Sequence, residues 1–123
     1  MIRTLSCHCG RVRLECNAEL GRVGECNCST CTRAGYLSWS VKHDQVRLTT
    51  PHAGLSSYAW RFADEVLFFC PTCGTAMWRT GSDNYFTLNA RCLDDVDIFT
   101  LAIERYDGRT DIPGGLPPPL GDG

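Results

Sequence analysis

Cys26-Asn27-Cys28-Ser29-Thr30-Cys31 places three thiols in six residues. Cys7-His8-Cys9-Gly10 stands ahead of it and Cys70-Pro71-Thr72-Cys73-Gly74 behind it. Together the three clusters hold seven of the nine cysteines. Thiolates at such short spacing converge on a soft cation, and zinc is the usual one. A closed tetrahedral zinc site takes four protein ligands, whereas a reactive one takes three and keeps a position open. Seven cysteines therefore divide into four and three.

Local sequence says which is which. Cys-x-x-Cys-Gly after an apolar strand signals a zinc knuckle: the tight turn aims backbone N–H groups at the sulfurs, and Gly74 accepts the positive φ that closes it. Cys7-His8-Cys9-Gly10 has the same ending with one intervening residue fewer. Two such half-sites complete a tetrahedron at Cys7, Cys9, Cys70 and Cys73, tying the N-terminal arm to the strands around position 70. A structural zinc of this kind supplies on the order of 10 kcal/mol, comparable with the whole net stability of a domain. The triplet Cys26, Cys28 and Cys31 wraps one face of an ion and leaves the other for water or an incoming thiol. Glutathione is the abundant cytosolic thiol.

The residues alone leave alternatives open. Cys16, Cys92 or a histidine would close the triplet as fourth ligand, and four thiolates also suit iron. A disulfide framework fits poorly, because nine is odd and neighbouring Cys-x-Cys thiols are badly placed to bridge.

The bulk numbers narrow the class. A length of 123 residues with 43% hydrophobic and 21% charged content describes one globular, water-soluble domain. The formal charge of −2 falls further once thiolates bind metal, and no Lys/Arg run offsets it. Nucleic acid is thereby excluded as a partner. Met1 to Ser6 leads straight into the first cluster, without an apolar segment for a signal peptide or a membrane span. The expectation is a cytoplasmic protein in a reducing compartment, where cysteines read as metal ligands.

The periodicity is that of a mainly β chain with few or no helices. Arg11–Cys16 alternates with period two, Val12, Leu14 and Cys16 on one face. Further strands are expected at Tyr36–Val41, Val46–Thr49, Ser57–Phe62, Val66–Phe69, Met77–Arg79, Tyr85–Asn89 and Phe99–Tyr106. Asn17–Gly24 reads as turn formers and a weakly apolar stretch leading into the central cluster, Thr32–Gly35 as a turn or single helical turn, and Leu93–Val96 as a turn or short helix. Residues 1–112 form the expected domain, and the Pro/Gly-rich 113–123 a mobile tail. Cys16 and Cys92 read as buried thiols. Arg33, Arg61, Arg79 and Arg91 are candidate anchors for substrate carboxylates; Tyr36, Trp39 and Trp60 are pocket walls or core. His8, His43 and His52 read as surface residues.

The three-cluster order, Cys-x-Cys-Gly, then Cys-x-Cys-x-x-Cys, then Phe-Cys-x-x-Cys-Gly, resembles the glutathione-dependent formaldehyde-activating enzyme family, which shares its domain with centromere protein V. The resemblance covers positions 5 to 106, and Asn89-Ala90-Arg91-Cys92-Leu93-Asp94 resembles a segment of its shorter bacterial members. It implies a β-tent of antiparallel sheets. It also implies a structural zinc at Cys7, Cys9, Cys70 and Cys73, and a second zinc at Cys26, Cys28 and Cys31 where glutathione engages. Arg33 and Arg91 then become glutathione anchors, although Thr32 stands where many members carry a basic residue. The implied reaction is that of a carbon–sulfur lyase, joining glutathione and formaldehyde as S-hydroxymethylglutathione. The competing expectation is a zinc-binding or interaction module without chemistry on the same fold. The two part at the triplet, which an enzyme needs open.

Overall fold

The computed structural model of the chain describes residues 1–51, 54–59, 65–80 and 85–111. His52, Trp60, Arg61, Phe62, the turn signal at 81–84 and the tail 113–123 lie outside the described residues.

Strands form where side chains alternate. In β4 (Leu37–Lys42), Leu37, Trp39 and Val41 are buried while Ser40 and Lys42 face out. In β2 (Arg13–Cys16), Leu14 and Cys16 are buried. The remaining strands are β1 (Arg3–Ser6), β3 (Val23–Cys26), β5 (Val46–Leu48), β6 (Ser56–Ala59), β7 (Val66–Phe69), β8 (Ala76–Arg79), β9 (Tyr85–Asn89) and β10 (Ile103–Tyr106). Among the described residues, two short helices, α1 (Ser29–Ala34) and α2 (Gly108–Asp111), and 3₁₀ turns accompany these strands. The protein is mainly β. No helix among the described residues is long and apolar enough to cross a membrane.

The strands form two sheets. The smaller has the order β1-β2-β5 and the larger β10-β3-β4-β9-β8-β7-β6. One buried cluster joins Leu5, Leu14 and Cys16 of the small sheet to Leu37, Trp39, Val41 and Leu88 of the large one. Each such aliphatic side chain contributes about 1.5–3 kcal/mol by leaving water. Trp39 belongs to this core, with its indole N–H donating to the Glu19 carbonyl at 3.3 Å.

Two local departures from the sequence expectation have physical causes. The stretch 17–24, read as turn formers with a weakly apolar lead into the central cluster, contains the start of β3, which is a strand because β4 and β10 pair with it on its two sides. Phe99–Tyr106 is not one strand. The Asp97 carboxylate accepts from the Phe99 N–H at 3.0 Å, and the Thr100 hydroxyl donates to the Asp97 carbonyl at 2.6 Å. Those bonds wind Ile98–Thr100 into a 3₁₀ turn, so the strand starts only at Ile103.

The sheets are not antiparallel throughout, since β10 runs parallel to β3, with Ile103 opposite Val23 and Tyr106 opposite Cys26. A parallel neighbour needs a long crossover, and nearly the whole domain intervenes between these two strands. The pairing brings the end of the described chain to the cysteine triplet.

Candidate metal centres

Two tight turns build the first centre. After β1, Gly10 (φ 81°) lets the chain reverse so that its N–H donates to the Cys7 carbonyl at 3.1 Å. The Val12 N–H then reaches the Cys7 sulfur at 3.2 Å. After β7, Gly74 (φ 77°) closes the Cys70–Cys73 turn through a 2.8 Å bond to the Cys70 carbonyl. The Sγ atoms of Cys7, Cys9, Cys70 and Cys73 all lie within 4.8 Å of one another. Cys7–Cys9 and Cys9–Cys70 stand at 3.6 Å. Sulfurs ~2.3 Å from a tetrahedral ion are about 3.8 Å apart, so the spacing and the all-thiol donor set fit such an ion.

Electrostatics divide these four thiols. A hydrogen bond with the Thr75 hydroxyl, 3.2 Å away, leads the effects that hold Cys73 down at about 5. Cys9 is pushed up to about 11: the Arg11 N–H favours its thiolate, but desolvation and the sulfurs around it outweigh that bond. Adjacent anions resist joint ionisation unless a cation joins them.

The second centre sits where β3 runs into α1. Cys26 ends the strand, Cys28 is the N-cap and Cys31 lies in the helix. The Cys31 N–H points at the Cys28 sulfur and the Cys28 N–H at the Cys26 sulfur, each at 3.4 Å. Six residues are too few for a helix to stand alone. This one is closed at its far end by Gly35 (φ 63°), whose N–H bonds the Cys31 carbonyl. The helix thus begins inside the triplet, not after it as the sequence suggested. The three sulfurs also lie within 4.8 Å of one another.

Burial disfavours ionisation of Cys28, yet the Cys31 N–H and other donors bring its thiol below the usual range. Cys31 is pushed up to about 12 by burial, against the opposing pull of Arg79. Arg79 extends from β8 and places Nη1 3.6 Å from the Cys31 sulfur.

No fourth Cys, His, Asp or Glu joins the triplet among the described residues. Cys16 and Cys92 belong to the core, and the Cys92 thiol donates to the Ala76 carbonyl at 3.4 Å. His8 is exposed beside the first centre without joining it. His43 packs its ring on Phe86, with centroids 4.0 Å apart.

A cleft of about 560 Å³ opens onto the second centre and not the first. Cys26 and Cys31 line it, together with Tyr36, whose hydroxyl donates to the Thr87 carbonyl. Its charged residues are Glu25, Arg91, Arg105 and Asp107. Arg105 donates to Glu25 at 3.2 Å, and the Asn27 amide donates to Asp107 at 3.0 Å, holding that carboxyl below the usual range.

Arg91, a residue expected as an anchor, lines this cleft. Arg33 does not line the cleft, because its guanidinium turns back to the Ser29 carbonyl of its own helix at 3.2 Å. Arg79 contacts the triplet sulfur and likewise does not line the cleft. Sequence reasoning missed Glu25, Arg105 and Asp107. The charge pair Glu25 and Arg105 faces across β3 and β10, and only knowledge of that parallel pairing would have found it.

The family model described as glutathione-dependent formaldehyde-activating enzyme matches residues 2–108. Among solved structures, a crystal structure of a Rhodobacter sphaeroides protein superposes with a TM-score of 0.71 at 23% identity, covering 82% of this chain and 99% of that one. That likeness is one of fold. No curated protein matches the chain.

Proposed function

We propose, from the premise that this chain belongs to the glutathione-dependent formaldehyde-activating enzyme family, that it joins glutathione to formaldehyde or a related aldehyde as a zinc-dependent carbon–sulfur lyase. The observation that carries the reading is the cleft lined by Cys26 and Cys31, on a triplet that no fourth Cys, His, Asp or Glu joins among the described residues. In this reading Cys7, Cys9, Cys70 and Cys73 hold a structural zinc, and Cys26, Cys28 and Cys31 hold the second. A zinc ion there would supply Lewis acidity, which favours the thiolate of a thiol that reaches it.

The chain's own residues do the rest. Arg91 and Arg105 offer guanidinium groups to the two carboxylates of glutathione. Glu25 and Asp107 offer carboxylates to its ammonium group. Tyr36, fixed by its bond to Thr87, gives the cleft a rigid wall beside Cys31. Holding the cysteinyl sulfur at the cleft floor places it for addition to the aldehyde carbon. A C–S bond forms, the carbonyl π pair moves to oxygen, and that oxygen takes the proton the thiol gave up. Nothing is oxidised or reduced.

A free thiol is only a few per cent ionised at neutral pH. Complete ionisation offers at most some tens-fold, so positioning in the cleft has to supply the remainder.

Exchange NMR on ¹³C-formaldehyde with glutathione tests this, because it reads adduct formation against the spontaneous rate. The metal-loaded protein accelerates exchange, and Cys28→Ser abolishes the acceleration while far-UV circular dichroism stays native. Acceleration that survives Cys28→Ser would sink the assignment. Unfolding by that substitution would favour an interaction module whose triplet is architectural.

A further inference from the structure

Resting on the reading that the triplet holds a divalent ion and receives a thiol, we infer that Arg79 is a positioning residue. It neutralises the triplet from the protein side and so lets the site accept an anionic fourth ligand.

Among the described residues, the geometry separates Arg79 from the other arginines near the site. Its guanidinium approaches Cys31 at 3.6 Å, whereas Arg91 and Arg105 line the cleft. β8 delivers it from the large sheet, with Arg79 opposite Leu67 of β7 and Thr87 of β9. Thr87 also anchors Tyr36, so Cys31, Tyr36 and Arg79 meet at one place. The gap between Thr30, Cys31, Ala34, Tyr36, Leu67 and Arg79 is about 10 Å³. That is room for one water at most, so little solvent screens the guanidinium from the sulfur.

Charge counting gives the consequence. Three thiolates and a divalent ion leave −1 before any substrate arrives, and a substrate thiolate makes it −2. Excess charge in a half-buried site is costly unless paired. Arg79 brings the compensating positive charge to the resting site, sharing it with the Glu65 carboxylate, and arginine keeps its charge at every working pH. A cation held behind the sulfurs also stays clear of the cleft, where substrate carboxylates would otherwise compete for it. The sequence offered Arg79 as a carboxylate anchor; its place in the fold assigns it to the sulfurs.

The test titrates the full-length protein with Co²⁺, following thiolate charge-transfer and ligand-field bands, and then adds glutathione at saturating metal. Wild type should take two equivalents. Arg79→Met should leave the affinity of the four-cysteine centre unchanged while weakening the second equivalent about tenfold or more. At saturating metal it should also raise the glutathione concentration needed for the ligand-field shift by a similar factor. Arg79→Lys should restore both to within a few-fold, which a purely steric role would not.

Arg79→Gln, polar and uncharged, replaces the methionine variant if that one loses the first centre, with the same losses expected. Second-site affinity within twofold of wild type in the uncharged variant, or a lysine variant as weak as it, overturns the inference. A wild type that takes only one equivalent removes the reading beneath it as well.

Discussion

Tyr106 stands directly opposite Cys26 across the parallel pair of β3 and β10, and its carbonyl accepts the Asn27 N–H at 3.3 Å. One residue further on, Asp107 takes the Asn27 side-chain amide, and the Asn27 side-chain oxygen accepts from the Arg109 N–H at 2.9 Å. The last described strand is thereby fastened to the residue between two triplet cysteines. One wall of the cleft, Arg105 to Asp107, exists only because that strand docks. The cysteine triplet and the wall of the cleft share a backbone ladder.

Separating those two duties gives the first prediction. Arg91→Ala and Arg105→Ala remove cleft charges and touch neither sulfur cluster. Each should raise KM for glutathione about tenfold, as expected for the loss of a charge-assisted hydrogen bond. kcat should hold, the pattern of lost uniform binding. Steady-state kinetics with metal content measured in parallel checks this. A fall in kcat at constant KM would place these arginines in the chemistry instead.

Arg33→Ala is the internal comparison. Its guanidinium folds back onto the Ser29 carbonyl of its own helix, so KM for glutathione should stay within about twofold of wild type. Isothermal titration with glutathione settles it, and a tenfold loss would mean that the side chain swings into the cleft.

Much of this was legible in the sequence, and the part that was not is non-local. The spacing of Cys7, Cys9, Cys70 and Cys73 foretells two half-sites because each turn is set by residues next to it, Gly10 and Gly74 above all. The alternation in β2 and β4 is equally local. Arg105 and Asp107 carry no such mark. Their relevance comes from β10 lying beside β3 some eighty residues earlier in the chain, and no short-range pattern encodes that pairing. Arg33 and Arg79 show the same limit from the other side: both were candidates by charge and position, and only the fold shows Arg33 on the Ser29 carbonyl and Arg79, from β8, beside the Cys31 sulfur.

Unequal metal dependence is the third prediction. The four-cysteine centre links the turn after β1 to the turn after β7, so an ion held there would stabilise the fold on the order of 10 kcal/mol. Cys73→Ser should leave the protein largely unfolded at 25 °C, since that loss matches a typical total. Graded chelation should release the triplet ion first with native circular dichroism retained, and unfold the chain only when the second equivalent leaves. Simultaneous loss of both ions and of structure would show the triplet to be equally architectural.

Leu88 reports on the core between the sheets. It is fully buried and stands opposite both Trp39 and Trp78. Leu88→Ala removes its apolar surface and leaves a cavity between two indoles, at a cost of about 2–5 kcal/mol. Urea denaturation of the metal-loaded protein should show that loss with an unchanged m-value. A cost under about 1 kcal/mol would mean that the sheets close around the gap.

The buried thiols outside both centres make stability pH-dependent in a defined direction. Burial pushes Cys16 up to about 11 and Cys92 up to about 12, while an unfolded thiol titrates near ~8.5. Below that value both states keep the proton and the full stability is present. Above it the unfolded chain releases protons that the native state retains, so stability falls as pH rises and the loss is complete only past about 11 for Cys16 and about 12 for Cys92. Each thiol contributes a slope of up to about 1.4 kcal/mol per pH unit within its window. Cys16→Ala lowers stability at neutral pH by opening a small cavity, but it should flatten the decline between pH ~9 and ~11 relative to wild type. Denaturation midpoints across that range measure the difference. Parallel curves would show that Cys16 titrates in the folded protein as it does in the unfolded one.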